Sequence, residues 1–319
     1  MPKSKWNLNT IYISERLQES LRPISRCAMT TVVAPMGYGK TTAVEWYLAE
    51  RAGAEAPYIV RISVYSSNLA IFWKSVQDAF ARAGFAFLRE YDCPTDGASG
   101  GLLIDDLCHA LTGEKSCYIF IDDFHLLTDK RAPGFLCALA GRLPPNVHLI
   151  LASRDLFLPA AELVRLGGKV YQIGTAQLRL NHTELAVYTK RCGTALSDEQ
   201  IDTLLYYSEG WFSAVYLNLR MFSEHGVLPD PNSDISSIFT AAMIDPLPEK
   251  QREFLAVMGL ADEFTVEMAQ FVMADAHAED LLAALTGQNA FVKRLPDGAT
   301  YRFHHMMKEC ALHTFLSMP

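Results

Sequence analysis

One short stretch, Thr31–Thr42, constrains the fold of this chain more than any other. It reads as an apolar strand, a tight loop and the first turn of a helix, and Ala34-Pro35-Met36-Gly37-Tyr38-Gly39-Lys40-Thr41 fits a phosphate-binding loop with alanine at the first glycine position. Backbone N–H groups of such a loop wrap around phosphate oxygens, so small residues are needed where the backbone comes closest. The helix that follows points its positive end at the same phosphates.

The loop predicts a site for ATP or ADP with Mg²⁺. Lys40 is expected to reach the β- and γ-phosphates, and the Thr41 hydroxyl to hold Mg²⁺. The alternative is a glycine-rich turn that binds nothing, but the apolar strand before it and the helical pattern of Ala43–Leu48 favour the phosphate loop. The predicted nucleotide contacts in this loop are Pro35, Met36, Gly37, Tyr38, Gly39, Lys40, Thr41 and Thr42.

Length and charge set the broad class of the protein. A chain of 319 residues, half of them hydrophobic and a fifth charged, is expected to fold into two or three globular domains. The formal net charge is −8 and no run of lysine and arginine stands out, so the chain lacks the electrostatic footprint of a nucleic-acid binder.

Cysteine usage and apolar runs indicate the compartment. The seven cysteines are scattered without a C-x-x-C pair, which favours buried free thiols in a reducing environment over disulfides or a zinc site. The residues after Met1 have no signal-peptide core, and no apolar run approaches the length of a membrane span. We therefore expect a cytoplasmic protein without a membrane partner.

Short apolar strands alternate with helices over residues 1–178, which predicts a parallel sheet covered by helices on both faces. This part is expected to be the P-loop nucleotide-binding domain, preceded by a helical lead-in before Pro23. Residues 90–101 are predicted to be a loop because they are rich in glycine, aspartate, proline and serine. The predicted strands lie at 29–34, 58–64, 117–121, 147–152 and 170–173, and the predicted helices at 40–51, 70–83, 102–112 and 132–142.

The pattern changes to helices alone after residue 178. Asn181–Glu184 and Ser197–Gln200 resemble capping boxes, so residues 179–232 are predicted to be a helical domain. Residues 233–319 show helical patterns followed by a hairpin pattern near 291–304, which is typical of a winged helix.

Polar residues end two of the predicted strands. Asp122 and Asp123 follow the third strand, where the first carboxylate would orient the Mg²⁺ shell and the second would polarise a water for attack on the γ-phosphate. Arg154 follows the fourth strand, where strand ends converge on a ligand, and is a candidate sensor of the γ-phosphate. The alternatives are an acidic turn that caps the next helix and a surface arginine in a loop.

These motifs, taken in order, identify a family resemblance that spans nearly the whole chain. The chain resembles the N-terminal part of the STAND-class P-loop ATPases, in particular the large LuxR-type (MalT-like) transcription regulators. The motifs that carry the resemblance are Ala34–Thr42, Ile121–Leu127, Ala152–Arg154 with Leu163 and Leu166, Leu178–Leu180, Ser208–Trp211 and Phe303–His304.

The resemblance implies a switch in which nucleotide-binding, helical and winged-helix domains clamp ADP at rest. An inducer and ATP open the clamp, the protein oligomerises, and slow hydrolysis resets it. By position, Lys40 and Thr41 bind phosphate and Mg²⁺, Asp122 is the Mg²⁺ acid and Asp123 the catalytic acid. Arg154 resembles the sensor arginine, and His304 resembles the winged-helix histidine that touches the ADP β-phosphate. Ile13 and Arg16 resemble the stretch that lies over adenine.

The chain departs from the family pattern at two places. Tyr65–Leu69 stands where the family usually has an acidic run, and Ser14 replaces an arginine common in the lead-in. The sequence ends after the predicted winged helix, without the family's sensor repeats, which would take a small-molecule or protein inducer, or its DNA-binding domain. The chain therefore resembles either a fragment or a shortened relative. DNA would then be a partner only through that further domain.

Two other classes of function fit the same motifs. One is a turnover ATPase or phosphotransferase, for which no second-substrate pocket is evident in the sequence. The other is an interaction scaffold that holds a structural nucleotide. Whether the chain acts as an enzyme therefore depends on its rate of ATP hydrolysis.

Overall fold

The structure is a computed structural model that describes residues 7–8, 10–34, 37–154, 156–208, 210–225, 240, 244–245, 247–287, 292–295, 297–303, 311 and 314–316. Residue contacts divide the chain into two units, Met1–Ser213 and Ala214–Pro319, each with a sheet of its own. The predicted boundaries at residues 178 and 232 are a finer division and stay predictions.

The first unit contains the predicted parallel sheet, whose five strands are ordered β2-β3-β4-β1-β5. Every residue of β3 and β4 is buried, as expected for central strands that are covered on both faces. The fold class predicted from the sequence is thereby confirmed for this unit. The strands are β1 (Met29–Val33), β2 (Tyr58–Ser63), β3 (Cys117–Asp122), β4 (Val147–Ser153) and β5 (Val170–Ile173).

Helices cover both faces of this sheet. One apolar core contains Val44 and Leu48 from α2 with Leu21 from α1, and the other contains Phe80 from α3 with Leu107 from α4 and Leu136 from α5. The helices of the sheet layers are α1 (Glu15–Leu21), α2 (Lys40–Glu55), α3 (Leu69–Arg82), α4 (Gly97–Leu111), α5 (Arg131–Arg142) and α6 (Ala160–Leu166).

The prediction of a loop over residues 90–101 is wrong at its end, because α4 begins at Gly97. Asp96 caps the helix: its carboxylate accepts a hydrogen bond from the Ser99 backbone N–H at 2.8 Å, and the Ser99 hydroxyl lies 3.3 Å from the Asp96 N–H. This capping box stabilises a helix start that the glycine content of the segment argues against.

A helical segment follows the sheet within the first unit. Both predicted capping boxes are confirmed: Glu184 accepts from the Asn181 N–H at 2.9 Å, and Gln200 accepts from the Ser197 N–H at 2.9 Å. The helices are α7 (Thr175–Leu178), α8 (His182–Arg191), α9 (Asp198–Ser208) and α10 (Phe212–His225). Because the second unit begins at Ala214, α10 starts in the first unit and continues into the second.

The second unit combines helices with a three-stranded antiparallel sheet of order β6-β8-β7. The Phe264 ring lies 5.1 Å from the Phe303 ring and 6.1 Å from the Phe254 ring, which joins sheet and helix in one core. Its elements are α11 (Glu249–Met258), β6 (Phe264–Thr265), α12 (Val266–Met273), α13 (Ala278–Gly287), β7 (Val292–Arg294) and β8 (Thr300–Phe303). Most of the predicted last helix, 305–317, lies outside the described residues.

Within the described residues, no helix is long and apolar enough to cross a membrane.

Candidate phosphate-loop site

The phosphate-loop segment lies at the carboxyl end of β1, directly before α2. Gly37 and Gly39 have φ angles of 78° and 77°, in the left-handed region that disfavours side chains. Gly39 is the N-cap of α2, so the helix starts without a capping side chain among the described residues. The first N–H groups of α2 are then available to an anion, as a phosphate loop requires.

Lys40 is buried at the start of α2 with only 9% of its surface exposed. Its Nζ donates a hydrogen bond to the Ala34 carbonyl oxygen at 2.8 Å, which folds the side chain back over the loop. Burial lowers the pKa of Lys40, and Arg154 lowers it further, while the carboxylates of Asp123 and Asp122 raise it. A phosphate beside this ammonium would favour its charged form.

Thr41 and Asp122 meet across the sheet edge. The Thr41 hydroxyl donates to Asp122 Oδ2 at 2.9 Å, and Asp122 Oδ1 accepts from the Asp123 N–H at 2.9 Å. A hydroxyl and a carboxylate are oxygen donors of the kind that Mg²⁺ takes in nucleotide sites. The structure therefore brings together the two residues predicted from the sequence as magnesium ligands, and their chemistry fits that ion.

Asp123 turns the chain sharply away from β3. Its φ of 55° and ψ of 37° place it in the left-handed region, and the 3₁₀ helix Phe124–Leu126 begins directly after it. A residue other than glycine in this region costs about 1 kcal/mol and is often found at functional sites. Asp123 thus occupies a strained position beside the Thr41–Asp122 pair.

Arg154 directly follows β4, the strand between β1 and β3. Ser153, the last residue of β4, pairs with Val33 of β1, and its carbonyl oxygen accepts from the Ala34 N–H at 3.3 Å. The guanidinium is close enough to Lys40 to lower its pKa. The structure brings Lys40, Asp122, Asp123 and Arg154 together at one edge of the sheet, and their roles in nucleotide binding stay predictions.

The start of α10 contacts the phosphate loop, which the sequence did not reveal. The Gly37 carbonyl oxygen accepts from the Ser213 N–H at 3.1 Å and from the Ser213 hydroxyl at 3.2 Å. The Trp211 ring stacks on the Tyr38 ring at 6.3 Å. A Cβ on Gly37 would clash with Ser213 Oγ and lie 2.6 Å from Trp211 Nε1. We call Gly37, Tyr38, Trp211 and Ser213 the Ser213 contact.

The lead-in helix is held by a second set of contacts. Arg16 donates to both carboxylate oxygens of Glu184 at 2.9 Å, to the Ala176 carbonyl at 3.0 Å and to the Arg179 carbonyl at 2.6 Å. We call Ser14, Arg16 and Glu184 the Arg16 cluster. Ile13 packs against the same apolar core as Tyr38. Ile13 therefore lies beside the core under the phosphate loop, and Arg16 lies against the helical segment. The position of both residues over adenine stays a prediction.

Glu184 caps its own helix α8 and also pairs with Arg16 of α1, a second role that the sequence did not reveal. Burial alone would raise the pKa of Glu184, but hydrogen bonds from Arg16, Ser14 and the Asn181 backbone outweigh it and lower the pKa. The signal was present in part, since a capping-box glutamate uses one carboxylate face for its own helix and leaves the other for a partner.

Some predicted site residues carry no structural account. Pro35, Met36 and His304 lie outside the described residues. Thr42 is exposed on the first turn of α2. Among the residues that the structure describes, no group of three or more histidine, cysteine, aspartate or glutamate side chains could hold a metal ion.

The cysteines at 27, 93, 108, 117, 137 and 192 are free thiols.

The second unit decides the family of this part of the chain. Residues 240–317 match the model of the MalT winged helix domain. Over this range the chain is therefore similar to the winged helix domain of MalT. The helices, the three-stranded antiparallel sheet and the hairpin of β7 and β8 agree with that assignment, and the winged helix predicted from the sequence is confirmed.

The MalT-like character extends over nearly the whole chain. The HTH-type transcriptional regulator MalT of Vibrio campbellii is 21% identical over 336 aligned positions, which cover 97% of this chain and 36% of that protein. MalT of Yersinia pestis is 22% identical over 328 positions, with 98% and 36% covered. The chain therefore spans about a third of the length of these curated relatives.

The solved structures that match this chain have TM-scores below 0.5. A Walker-type ATPase of Pyrococcus abyssi has a TM-score of 0.48 and 12% identity, covering 98% of this chain and 99% of its own. Cdc6p of Pyrobaculum aerophilum has a TM-score of 0.45 and 12% identity, covering 99% and 97%. The assignment of the MalT-like chain as a P-loop ATPase fold rests on its own sheet and loop.

Proposed function

We propose that this MalT-like chain is the ATP- and ADP-binding switch module of a LuxR-type transcription regulator. The observation that carries the proposal is the Ser213 contact, in which the first turn of α10 hydrogen-bonds the phosphate loop through the Gly37 carbonyl. A loop that wraps phosphates and also supports the start of another helix can transmit the identity of the bound nucleotide.

The physical logic is that a ligand shifts an equilibrium only by its difference in affinity for the two states. ADP and ATP differ by the γ-phosphate, which this geometry would bring near Lys40, Asp123 and Arg154. Because α10 continues from Phe212 to His225, a change at its first turn affects a helix that reaches into the second unit. We propose that ADP holds the resting arrangement and ATP releases it.

Each residue of the site has a proposed role. Lys40 binds the β- and γ-phosphates, while Thr41 and Asp122 exchange their mutual hydrogen bond for Mg²⁺ and its water shell. Mg²⁺ would neutralise phosphate charge and orient the γ-phosphate. Asp123 accepts the proton of the attacking water, and Arg154 stabilises charge that develops on the γ-phosphate. Hydrolysis by these groups would reset the switch.

The first test identifies the bound nucleotide and the rate of turnover. The purified protein is denatured, the released nucleotide is identified by chromatography, and ATP hydrolysis is followed on fresh protein. We expect ADP to be retained through purification and turnover to lie far below the median enzyme rate of ~10 s⁻¹. Fast turnover stimulated by a second substrate would instead favour the phosphotransferase class. Retained nucleotide without any hydrolysis would favour the scaffold.

A pair of lysine variants tests the site itself. Lys40→Met is expected to reduce nucleotide content and affinity at least tenfold, since charge-assisted hydrogen bonds to phosphate are worth roughly 1.5–3 kcal/mol. Lys74→Met is the matched control, because Lys74 is exposed on α3 and pairs only with Asp78 at 3.2 Å in the described structure. Equal nucleotide content in both variants contradicts the phosphate-loop assignment.

A histidine variant tests the clamp that the family resemblance implies. His304→Ala is expected to weaken ADP retention more than ATP binding, because the resemblance assigns His304 to the ADP-bound state. The ratio of the two dissociation constants is measured by competition with a fluorescent ADP analogue. A ratio that matches the wild-type value counts against this role.

The partners follow from the same proposal. We propose that an inducer, which binds in a further region of the regulator, favours the ATP state, and that activation includes self-association of this module in the cytoplasm. Contact with DNA would use a domain outside this chain. Size-exclusion chromatography with ADP and with a non-hydrolysable ATP analogue shows whether the module alone self-associates.

A further inference from the structure

A cavity of about 390 Å³ lies within the first unit, between the sheet and helices α3, α4 and α5. Ile62, Ile119 and Ile121 form its floor on the sheet, and aromatic rings from α3 and α5 form its walls. Protein cores contain few voids larger than a water molecule. A cavity of this size has the volume of a small-molecule site.

From this cavity we infer a second ligand site, one that takes a neutral, largely apolar small molecule of about two fused rings. The aromatic lining favours a flat ring system, because Phe72, Trp73 and Phe135 can pack against its faces and edges. An engineered apolar cavity of about 150 Å³ holds a single benzene ring, so this larger cavity accommodates more than one ring.

The charged side chains that line the cavity and the Trp73 N–H are engaged with other protein groups, which argues for a neutral ligand. Trp73 Nε1 donates to the Tyr91 carbonyl at 3.0 Å, so its indole presents carbon to the cavity. The Asp96 carboxylate caps α4 through Ser99. A charged group placed against the apolar sheet would be buried without a counterion, which is costly.

The two arginines at the cavity also have carboxylate partners. Arg131 pairs with Asp129 at 2.7 Å and donates to the Thr95 carbonyl at 3.2 Å, while Arg142 pairs with Asp105 at 3.0 Å. Thr95 and Arg131 are exposed, so the opening lies between the loop before α4 and the start of α5. The Arg131 contact to Thr95 spans this opening.

Space for the ligand comes from small residues on the surrounding helices. Gly100 is buried in α4, and a Cβ added to it would lie 3.5 Å from the Phe135 ring, at ordinary contact distance. Ala138 of α5 also lines the cavity. Larger side chains at these two positions would therefore grow into the cavity.

Two residues that line the cavity flank the acid pair of the phosphate-loop site. Ile121 and Phe124, which both line it, directly flank Asp122 and Asp123 in the sequence. The Phe124 ring lies 4.6 Å from the Phe157 ring, in the segment that follows Arg154. A molecule against Phe124 thus contacts the residue that positions the turn at Asp123, and its binding is expected to alter nucleotide affinity. This last step rests on the proposed function.

The test uses the full chain labelled with 5-fluorotryptophan, with 2-naphthol as the neutral probe. The four tryptophans give separate ¹⁹F resonances, and Trp73→Phe identifies the one at the cavity. We expect 2-naphthol to shift the Trp73 resonance with a dissociation constant on the order of 100 μM. Its anionic analogue 2-naphthalenesulfonate is expected to bind at least tenfold more weakly, because its charge would be buried unpaired.

Variants that fill the cavity decide whether the probe binds there. Gly100→Leu is expected to weaken 2-naphthol binding at least tenfold, and Ala138→Leu does the same from α5 if the first variant fails to fold. Ala110→Leu is the matched control, because Ala110 is exposed on α4 and does not line the cavity. Wild-type binding in folded Gly100→Leu or Ala138→Leu, an unmoved Trp73 resonance, or equal binding of the sulfonate overturns the proposal.

The link to nucleotide is measured separately with a fluorescent ADP analogue. We expect saturating 2-naphthol to change the affinity for the analogue by at least about fivefold, which is the lower end of the coupling seen in allosteric proteins. A Trp73 shift without that change overturns the coupling and leaves the site standing. If the analogue does not bind at all, the proposed function fails, while the Trp73 shift still reports on the cavity.

Discussion

The Arg16 cluster joins the helical segment to the lead-in helix α1, and the Ser213 contact joins it to the phosphate loop, yet the two are built from different interactions. In the Arg16 cluster one guanidinium donates four hydrogen bonds, two of them to a buried carboxylate. In the Ser213 contact a single carbonyl accepts two neutral hydrogen bonds, and two rings stack beside it. The first is charged and shares its donors among three residues, whereas the second depends on one atom of Gly37.

Because of this difference, the Arg16 cluster costs more free energy to break than the Ser213 contact. Hydrogen bonds to charged groups contribute roughly twice as much as neutral ones, and breaking a partly buried ion pair leaves an uncompensated charge. The Ser213 contact lacks that penalty and lies on the loop expected to bind phosphate. A nucleotide would therefore alter the Ser213 contact first and leave the Arg16 cluster closed.

The largest effect on stability is expected from Glu184→Ala. This variant removes the carboxylate that pairs with Arg16 and the capping box of α8, which together predict a loss of about 2–3 kcal/mol in the free energy of unfolding. Urea unfolding measures the loss. Glu19→Ala is the control, since Glu19 and Arg22 form an exposed pair and should change the stability by less than about 0.5 kcal/mol. Similar losses in the two variants would mean that the Arg16 cluster is no stronger than an exposed ion pair.

The next prediction uses pH on the same cluster. Because the folded protein lowers the pKa of Glu184 below its ordinary value of 4.5, its contribution is present above that value and is lost as the pH falls through the folded pKa. The stability difference between the wild type and Glu184→Gln should therefore shrink as the pH falls below about 4.5. Unfolding curves at pH 7 and at successively lower pH measure it. A constant difference would mean that the carboxylate charge does not hold the cluster together.

A smaller effect on stability is expected from Trp211→Ala. Loss of the stacked ring on Tyr38 should cost about 1–2 kcal/mol, and the loss should be larger with ADP bound, because ADP is proposed to hold the resting arrangement. Thermal unfolding with and without ADP separates the two contributions. Trp211→Phe keeps an aromatic face and should recover most of the wild-type response to ADP. If Trp211→Ala responds to ADP as the wild type does, the contact does not depend on nucleotide.

The smallest effect belongs to Ser213→Ala, which removes one neutral hydrogen bond and keeps the backbone bond to Gly37. A loss of about 0.5–1 kcal/mol corresponds to ADP dissociation that is roughly two- to fivefold faster. Stopped-flow displacement of a fluorescent ADP analogue measures the rate. Ser223→Ala is a matched control on α10, because the Ser223 hydroxyl bonds only the Arg220 carbonyl of its own helix in the described structure. Faster release from both variants would point to a general loosening of α10.

Local signals explain why much of the fold could be predicted. The strands around 117–121 and 149–152 are continuous apolar runs, and the side chains of Asn181 and Glu184 mark the start of a helix by capping it. The convergence of Lys40, Asp122 and Arg154 followed because the carboxyl ends of parallel strands share one edge. The start of α4 at Gly97 is hard to predict because glycine and proline around it are typical of a loop, whereas the Asp96 cap that stabilises it is a single residue.

The remaining part depends on contacts between residues far apart in the sequence. Nothing near Ser213 indicates that its hydroxyl meets the carbonyl of Gly37, which lies 176 positions earlier. Glu184 and Arg16 are separated by 168 positions, and the motif around Glu184 explains only its role in its own helix. The cavity likewise forms from three helices and the sheet, so no single segment carries its pattern.

The position of β4 between β1 and β3 has a consequence for how this domain tolerates insertions. A residue added within β4 would change its register against both neighbours, and would move Arg154 relative to the phosphate loop and to the acid pair in one step. An insertion before β4, in the Leu143–Asn146 connection, leaves both registers unchanged. Length variation in related domains should therefore concentrate at the amino ends of the central strands, opposite the phosphate loop.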